Sequence, residues 1–325
     1  MVKILTGFKD FILFVFFVFL AVILTVVPNI TESVLDGIRL FIACVLPSLF
    51  PYFFITAILT SLKTTGKISK KLSPLMRKCF NVNGVCGYVF FLSVIAGYPM
   101  GAKLVSDLKN QKILSDTEST RAVAFCSTSS PVFLITSVGG IMFNSTVFGI
   151  LLFLCNFLSA ILVGLIFSRY KKFERPTTES EFISSKTDNV LSDIVYSAIS
   201  SSLFVGAMIT LFYVLTEILV TLKIFTPIIS LLNGIFNNTS ISEGIVLGLF
   251  ECTKGAQAIA NCKIGLFSLP ITAFICGFGG ISVIMQSIAF LKKAKIKTAP
   301  FVLAKTLSAV LNFCLGIIFS ALFLY

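Results

Sequence analysis

The sequence predicts an all-α, polytopic transmembrane helical protein with two inverted repeats, each carrying a broken or re-entrant helix. Three observations carry that expectation. Charged residues are 12% of the 325, and 56% of the chain is hydrophobic, with 35 phenylalanines. A soluble chain carries roughly 25% charged residues, so the excess apolar surface must face lipid. Uncharged runs near the length of a bilayer-spanning helix recur along the chain. The charges between the runs agree on one orientation only if one run turns back inside the membrane.

Taken in order, the first run covers residues 11–27 and follows Lys3 and Lys9 in the manner of a signal peptide. It is longer than a usual signal core and no A-x-A-like cleavage site follows it, so an uncleaved first helix is expected. The other runs are 40–62, 79–102, 122–168, 194–216, 264–291 and 306–325. The run 122–168 is too long for one crossing and is split at its turn-like "NST", residues 144–146. A less clean segment, 244–260, is interrupted by Glu251 and Lys254. The expected organisation is an anchor helix over 1–36, a first repeat over 37–168, a polar linker over 169–190 and a second repeat over 191–325.

Orientation decides which run turns back. The stretch 63–78 holds six basic residues and no acid, and the linker opens with Arg169, Lys171, Lys172 and Arg175. Both should be cytoplasmic, yet three candidate spans separate them. The stretch "GYPMGAKLVSDLKNQ", residues 97–111, resolves the conflict. Pro99 lacks an amide donor, and Gly97 and Gly101 allow a sharp reversal. The run then dips in near Cys79, turns at 97–101 and returns through 103–111, where Lys103 and Asp107 can pair. With that change the N-terminus is cytoplasmic and the C-terminus outside. Segment 244–260 becomes a second re-entrant element entering from the outer face, and Lys292, Lys293, Lys295 and Lys297 fall on the cytoplasmic side.

The second element echoes the first. "GYPMGAKLV" (97–105) aligns with "ECTKGAQAI" (251–259), and "SLFP" (48–51) with "SLFV" (202–205), both at a shift of 154. "AFCSTSSPVFLI" (124–135) matches "AFICGFGGISVI" (273–284) near a shift of 150. Three crossings lie between equivalent points, so the copies have opposite orientation. Inverted repeats with discontinuous helices are a signature of secondary transporters, whose sites lie at the midplane between the repeats. Irregular backbone at that depth must meet protein or line a water-filled cavity. Alternating access to such a site is the mechanism the pattern suggests.

The candidate substrate-binding residues follow from these breaks. They are Gly97, Pro99 and Gly101 in the first turn, and Ser127, Ser129 and Ser130 ahead of Pro131. In the second repeat they are Glu251, Thr253 and Gly255, then Gly279, Gly280, Ser282 and Gln286. Glu251 and Lys254 are the only charges in their segment, and intramembrane charges are expensive and usually functional. Glu251 is the candidate for proton or ion coupling; the plainer alternative is that it and Lys254 neutralise each other at i, i+3. The serines can serve as helix caps, and the glycines can simply allow close helix packing.

Several function classes drop out. The chain has no histidine, and its nine cysteines show no C-x-x-C spacing, so no metal and no cofactor are expected. Neither H-E-x-x-H nor G-x-S-x-G occurs, and no enzyme is expected. The net charge of +12 sits beside apolar segments, which makes membrane lipid, and not nucleic acid, the expected partner.

The four motifs "GYPMGAKLVSDL", "AFCSTSSPVFLI", "GLFECTKGAQAI" and "GFGGISVIMQ" stand in that order in the chain. Together they resemble the YlbJ family of sporulation integral membrane proteins, within the wider group with nucleoside-transporter/FeoB-type Gate (nucleoside recognition) domains. The resemblance spans most of the chain after the first helix. It departs at "CSTSSP", where hydroxyl residues replace an Asn/Gly-rich stretch. The resemblance implies a role in endospore formation, at the cortex or envelope, and a small-molecule substrate that it does not name. It implies other sporulation membrane proteins, or a second copy of the chain, as partners. A second reading is a membrane scaffold of the sporulation envelope that kept the fold without transport.

Overall fold

The computed structural model describes residues 30–61, 64–171, 190–262 and 264–324, with 14, 18, 21, 22, 24 and 25 before them. Most of the expected helix at 11–27 and most of the linker lie outside this set. Among the described residues every regular element is helical.

Helix α1 (Ile30–Leu40) continues through a π-helical turn, Phe41–Val45, into α2 (Leu46–Ser61). Helix α3 (Thr64–Leu75) ends in a second π-helical turn, Met76–Phe80. There follow α4 (Val85–Ala96), α5 (Met100–Asn110), α6 (Asp116–Phe125), the π-helical α7 (Val132–Met142) and α8 (Thr146–Phe167). The second half holds α9 (Val190–Thr221), α10 (Thr226–Phe236), α11 (Thr239–Phe250) and α12 (Cys252–Ala260). It closes with α13 (Ser268–Phe278), α14 (Gly280–Lys293) and α15 (Thr298–Phe323).

Four described helical stretches are long and apolar enough to cross a bilayer: α8, α9, α13 with α14, and α15. Counting the bent pair 66–80 and 85–96 as one makes five. Helix α8 shows how the pattern works. Leu154, Leu158, Leu162 and Leu165 form an exposed stripe, while Asn156, Ser159 and Gly164 face inward. Lipid takes the apolar face and protein takes the polar one.

The basic stretch is helical from Thr64 onward, and the pair 66–80 and 85–96 bends by 87°. Lys67, Lys70 and Lys71 are exposed while Ser69, Ser73 and Met76 are buried, the spacing of an amphipathic helix. Counting charge alone misses that period, because loops and interfacial helices share a basic composition.

Hydrogen bonds fix the path of the first hairpin. The Asn83 amide donates to Glu118 at 3.0 Å, the Cys126 thiol reaches the Cys86 carbonyl at 3.8 Å, and Thr128 donates to the Ser93 carbonyl at 3.2 Å. Gly97 lies against Ser130. Segments 83–97 and 118–130 therefore run side by side in the same direction, and α5 between them runs back. The reversal occupies 97–99, and the return is helical from Met100, where Lys103 and Asp107 pair at 3.3 Å. Helices α11 and α12 make the second hairpin: Gly244 meets Ile259 and Gly248 meets Gly255, with Glu251 at the tip.

The two hairpins are rooted at opposite ends of the molecule. At one end Arg121 donates to the carbonyls of Asn81, Tyr170 and Lys171 at 2.7–2.9 Å. Lys171, Lys295 and Lys297 share a hollow with Asp116 there. At the other end Ser320 donates to the Leu266 carbonyl at 3.3 Å, and the rings of Phe236 and Phe267 meet at 5.8 Å. Between the ends, α8 packs on α15, α6 on α15, α13 on α8, α5 on α14 and α12 on α7. The expected split at 144–146 is the turn between α7 and α8. The last crossing starts at Thr298, not at 306, and so takes Lys305 into its interior.

Candidate substrate site between the hairpin tips

Four interruptions converge at the centre of the protein. They are the tip at 97–99, the unwound 126–130 after α6, the tip at Glu251 and the break at Gly279. The Tyr98 hydroxyl bonds the Gly277 carbonyl at 3.3 Å, and Ser129 donates to the Cys276 carbonyl at 3.3 Å. These contacts tie the first hairpin and its neighbouring break to the end of α13. The backbone of Gly280 lies against Phe250 and Cys252 at the second tip. Its φ of +73°, after +83° at Gly279, is a left-handed path that glycine adopts without strain.

A cavity of ≈ 120 Å³ opens among these breaks. Of the predicted site residues, Gly97, Ser129, Ser130, Glu251, Thr253 and Gln286 line it. Tyr98, Cys252, Ser137 and Val283 complete much of the wall, with Leu40, Leu49, Val205 and Ile209 on an apolar side. A concave site with an apolar body and a few convergent polar groups suits a small ligand.

The remaining predicted residues shape the site from behind. Pro99 is the N-cap residue of α5. A Cβ on Gly101 would collide with the Cys126 carbonyl, and one on Gly255 with the backbone of Gly248. Ser282 accepts from Gln286 Nε2 at 3.2 Å. Ser130 Oγ accepts from the Phe133 amide at 3.2 Å and caps the start of the next helix. Ser127 Oγ is buried without a hydrogen-bond partner among the described residues.

Glu251 is 3% exposed. Its extended backbone separates the two helices of the hairpin, and its carboxylate caps α12. It accepts from the Lys254 amide at 2.8 Å and from the Thr253 hydroxyl at 3.1 Å. The neutralising pair with the Lys254 side chain is not formed. Lys254 reaches across to α9, where it meets the Tyr213 carbonyl at 3.3 Å and Glu217 at 3.8 Å. Its ammonium also lies 4.2 Å from the Tyr213 ring centroid. The tip directs Glu251 to the cavity and Lys254 away from it.

Three buried polar residues escaped the sequence reading. Lys305, 1% exposed, donates to the Tyr98 hydroxyl, to the Gly277 carbonyl at 2.6 Å and to the Ser127 carbonyl at 3.4 Å. Asn156 accepts from the Ser129 amide at 3.2 Å. Asn312 lies against Gly277 and donates to the Ser308 carbonyl at 2.8 Å. A signal for the asparagines was present: "NF" recurs at 156–157 and 312–313, close to the shift of the other repeat matches. Lys305 was hidden by the counting itself, since a run defined as uncharged must stop at the charge.

Comparison with known proteins follows the same lines. Residues 42–166, from the turn after α1 to α8, match the Gate family model, described as nucleoside recognition. The chain is 27% identical over 321 residues to the sporulation integral membrane protein YlbJ of Bacillus subtilis (strain 168). That match covers 91% of this chain and 79% of the relative. No solved structure matches. The chain thus carries the Gate (nucleoside recognition) signature in its first half, and along most of its length it is similar to a sporulation integral membrane protein.

Proposed function

We propose that the protein is a multi-pass transporter that moves a small polar molecule by alternating access between the two hairpin tips. The two halves act as inverted copies, with the basic end cytoplasmic and the C-terminus outside. The observation that carries the reading is the cavity itself, walled by both tips and holding Glu251 and Gln286. Supporting it, each half runs in the same order: a long helix, a hairpin, a broken crossing and an unbroken one. Broken helices opposed at the midplane are the arrangement that secondary transporters use for substrate and coupling ion.

Glu251 is the coupling group in this reading. It is buried and makes no ion pair among the described residues. Similarity to a protein named for sporulation supports a role for the activity in endospore formation. The test is uptake into vesicles, after a ligand-stabilisation screen of purified protein has named candidate substrates. Uptake should fail in Glu251→Gln and Gln286→Leu while both variants accumulate and fold. A scaffold would tolerate both changes and support the same cellular role.

A further inference from the structure

Among the described residues, the ammonium of Lys305 is held entirely by neutral groups. The Tyr98 hydroxyl and the carbonyls of Gly277 and Ser127 accept from it, and the face of the Tyr98 ring lies 4.3 Å away. Each oxygen belongs to an interruption. One comes from the tip of the first hairpin, one from the unwound segment after α6, and one from the last turn of α13. Carbonyls at a helix C-terminus carry negative dipole charge. Carbonyls freed by broken helices are what membrane proteins use to coordinate small cations. An aromatic face adds to the same attraction. A buried cation without a counter-charge is costly, so this cage of oxygens is what retains it.

We infer that these oxygens form a site for an ammonium-like monovalent cation, with the Lys305 side chain as its tethered occupant. The occupant ties the first hairpin tip to both broken crossings, one from each half of the chain. The inference stands apart from transport, since it holds whether or not the protein carries a substrate.

Chemical rescue tests it on the purified full chain, by thermal melting in choline, ammonium or methylammonium chloride. The wild type should melt at the same temperature in all three salts. Lys305→Ala empties the cage and should melt roughly 5 °C or more lower in choline chloride. It should recover at least half of that loss in about 100 mM methylammonium chloride. Lys305→Met refills the space without charge, so it should melt low in every salt. Recovery of Lys305→Ala no better in methylammonium than in choline would overturn the inference. So would a Lys305→Met variant that melts with the wild type. If Lys305→Ala does not accumulate, Lys305→Met decides: a lowered melting temperature supports the cage, and a wild-type one removes it.

Discussion

Glu251 is a helix cap and a cavity wall at once, and two substitutions separate those tasks. Glutamine keeps an oxygen for the Lys254 amide, so Glu251→Gln should melt within a few degrees of the wild type. Alanine removes the cap and should cost about 1 kcal/mol, seen as a lower melting temperature in detergent. Gly101 offers a sharper contrast. A side chain there collides with the Cys126 carbonyl, whereas Gly234 has open space around it. Gly101→Val should abolish a monodisperse peak on size exclusion, and Gly234→Ala should leave it unchanged. Sequence reading placed Glu251, Gln286 and the hydroxyls of 129–130 in the site because polar groups stand out in apolar runs. It could not separate lining residues from packing ones, since Gly97 and Gly101 look alike until the neighbouring backbone is in place.

At the scale of elements, the two hairpins were legible and their supports were not. Proline between glycines marks a break in any apolar run, and the charge balance required a reversal there. The entry to the first hairpin is held by Arg121, which is 1% exposed and joins α6 to the Asn81 carbonyl and to the carbonyls of Tyr170 and Lys171 just after α8. Such a residue reads in sequence as one more topology signal. A guanidinium spans these acceptors where a lysine reaches fewer. Arg121→Ala should therefore destabilise the fold by about 3 kcal/mol, and Arg121→Lys should recover only part of it. Melting of the purified variants checks both. Helix α3 was missed for a related reason. Its lysines dominate the composition, while the side chains it buries are the serines Ser69 and Ser73, which raise no hydropathy signal.

At the scale of the molecule, the basic segments gather at one end and the second hairpin is rooted at the other. The three short sequence matches pair segments of one half with segments of the other, and the asparagines at 156 on α8 and 312 on α15 add a fourth match in the same order. What the sequence could not carry is the meeting of the tips, because Tyr98 and Gly277 are 179 positions apart and share no pattern. The account rests on two hairpins that enter the membrane from opposite faces to reach one cavity. Single cysteines at Gln111 and Asn261, in a chain cleared of native cysteines, test this most directly. An impermeant maleimide applied to intact cells should label position 261, and should label position 111 only after the membrane is opened. Labelling of both positions from the same face would contradict the account.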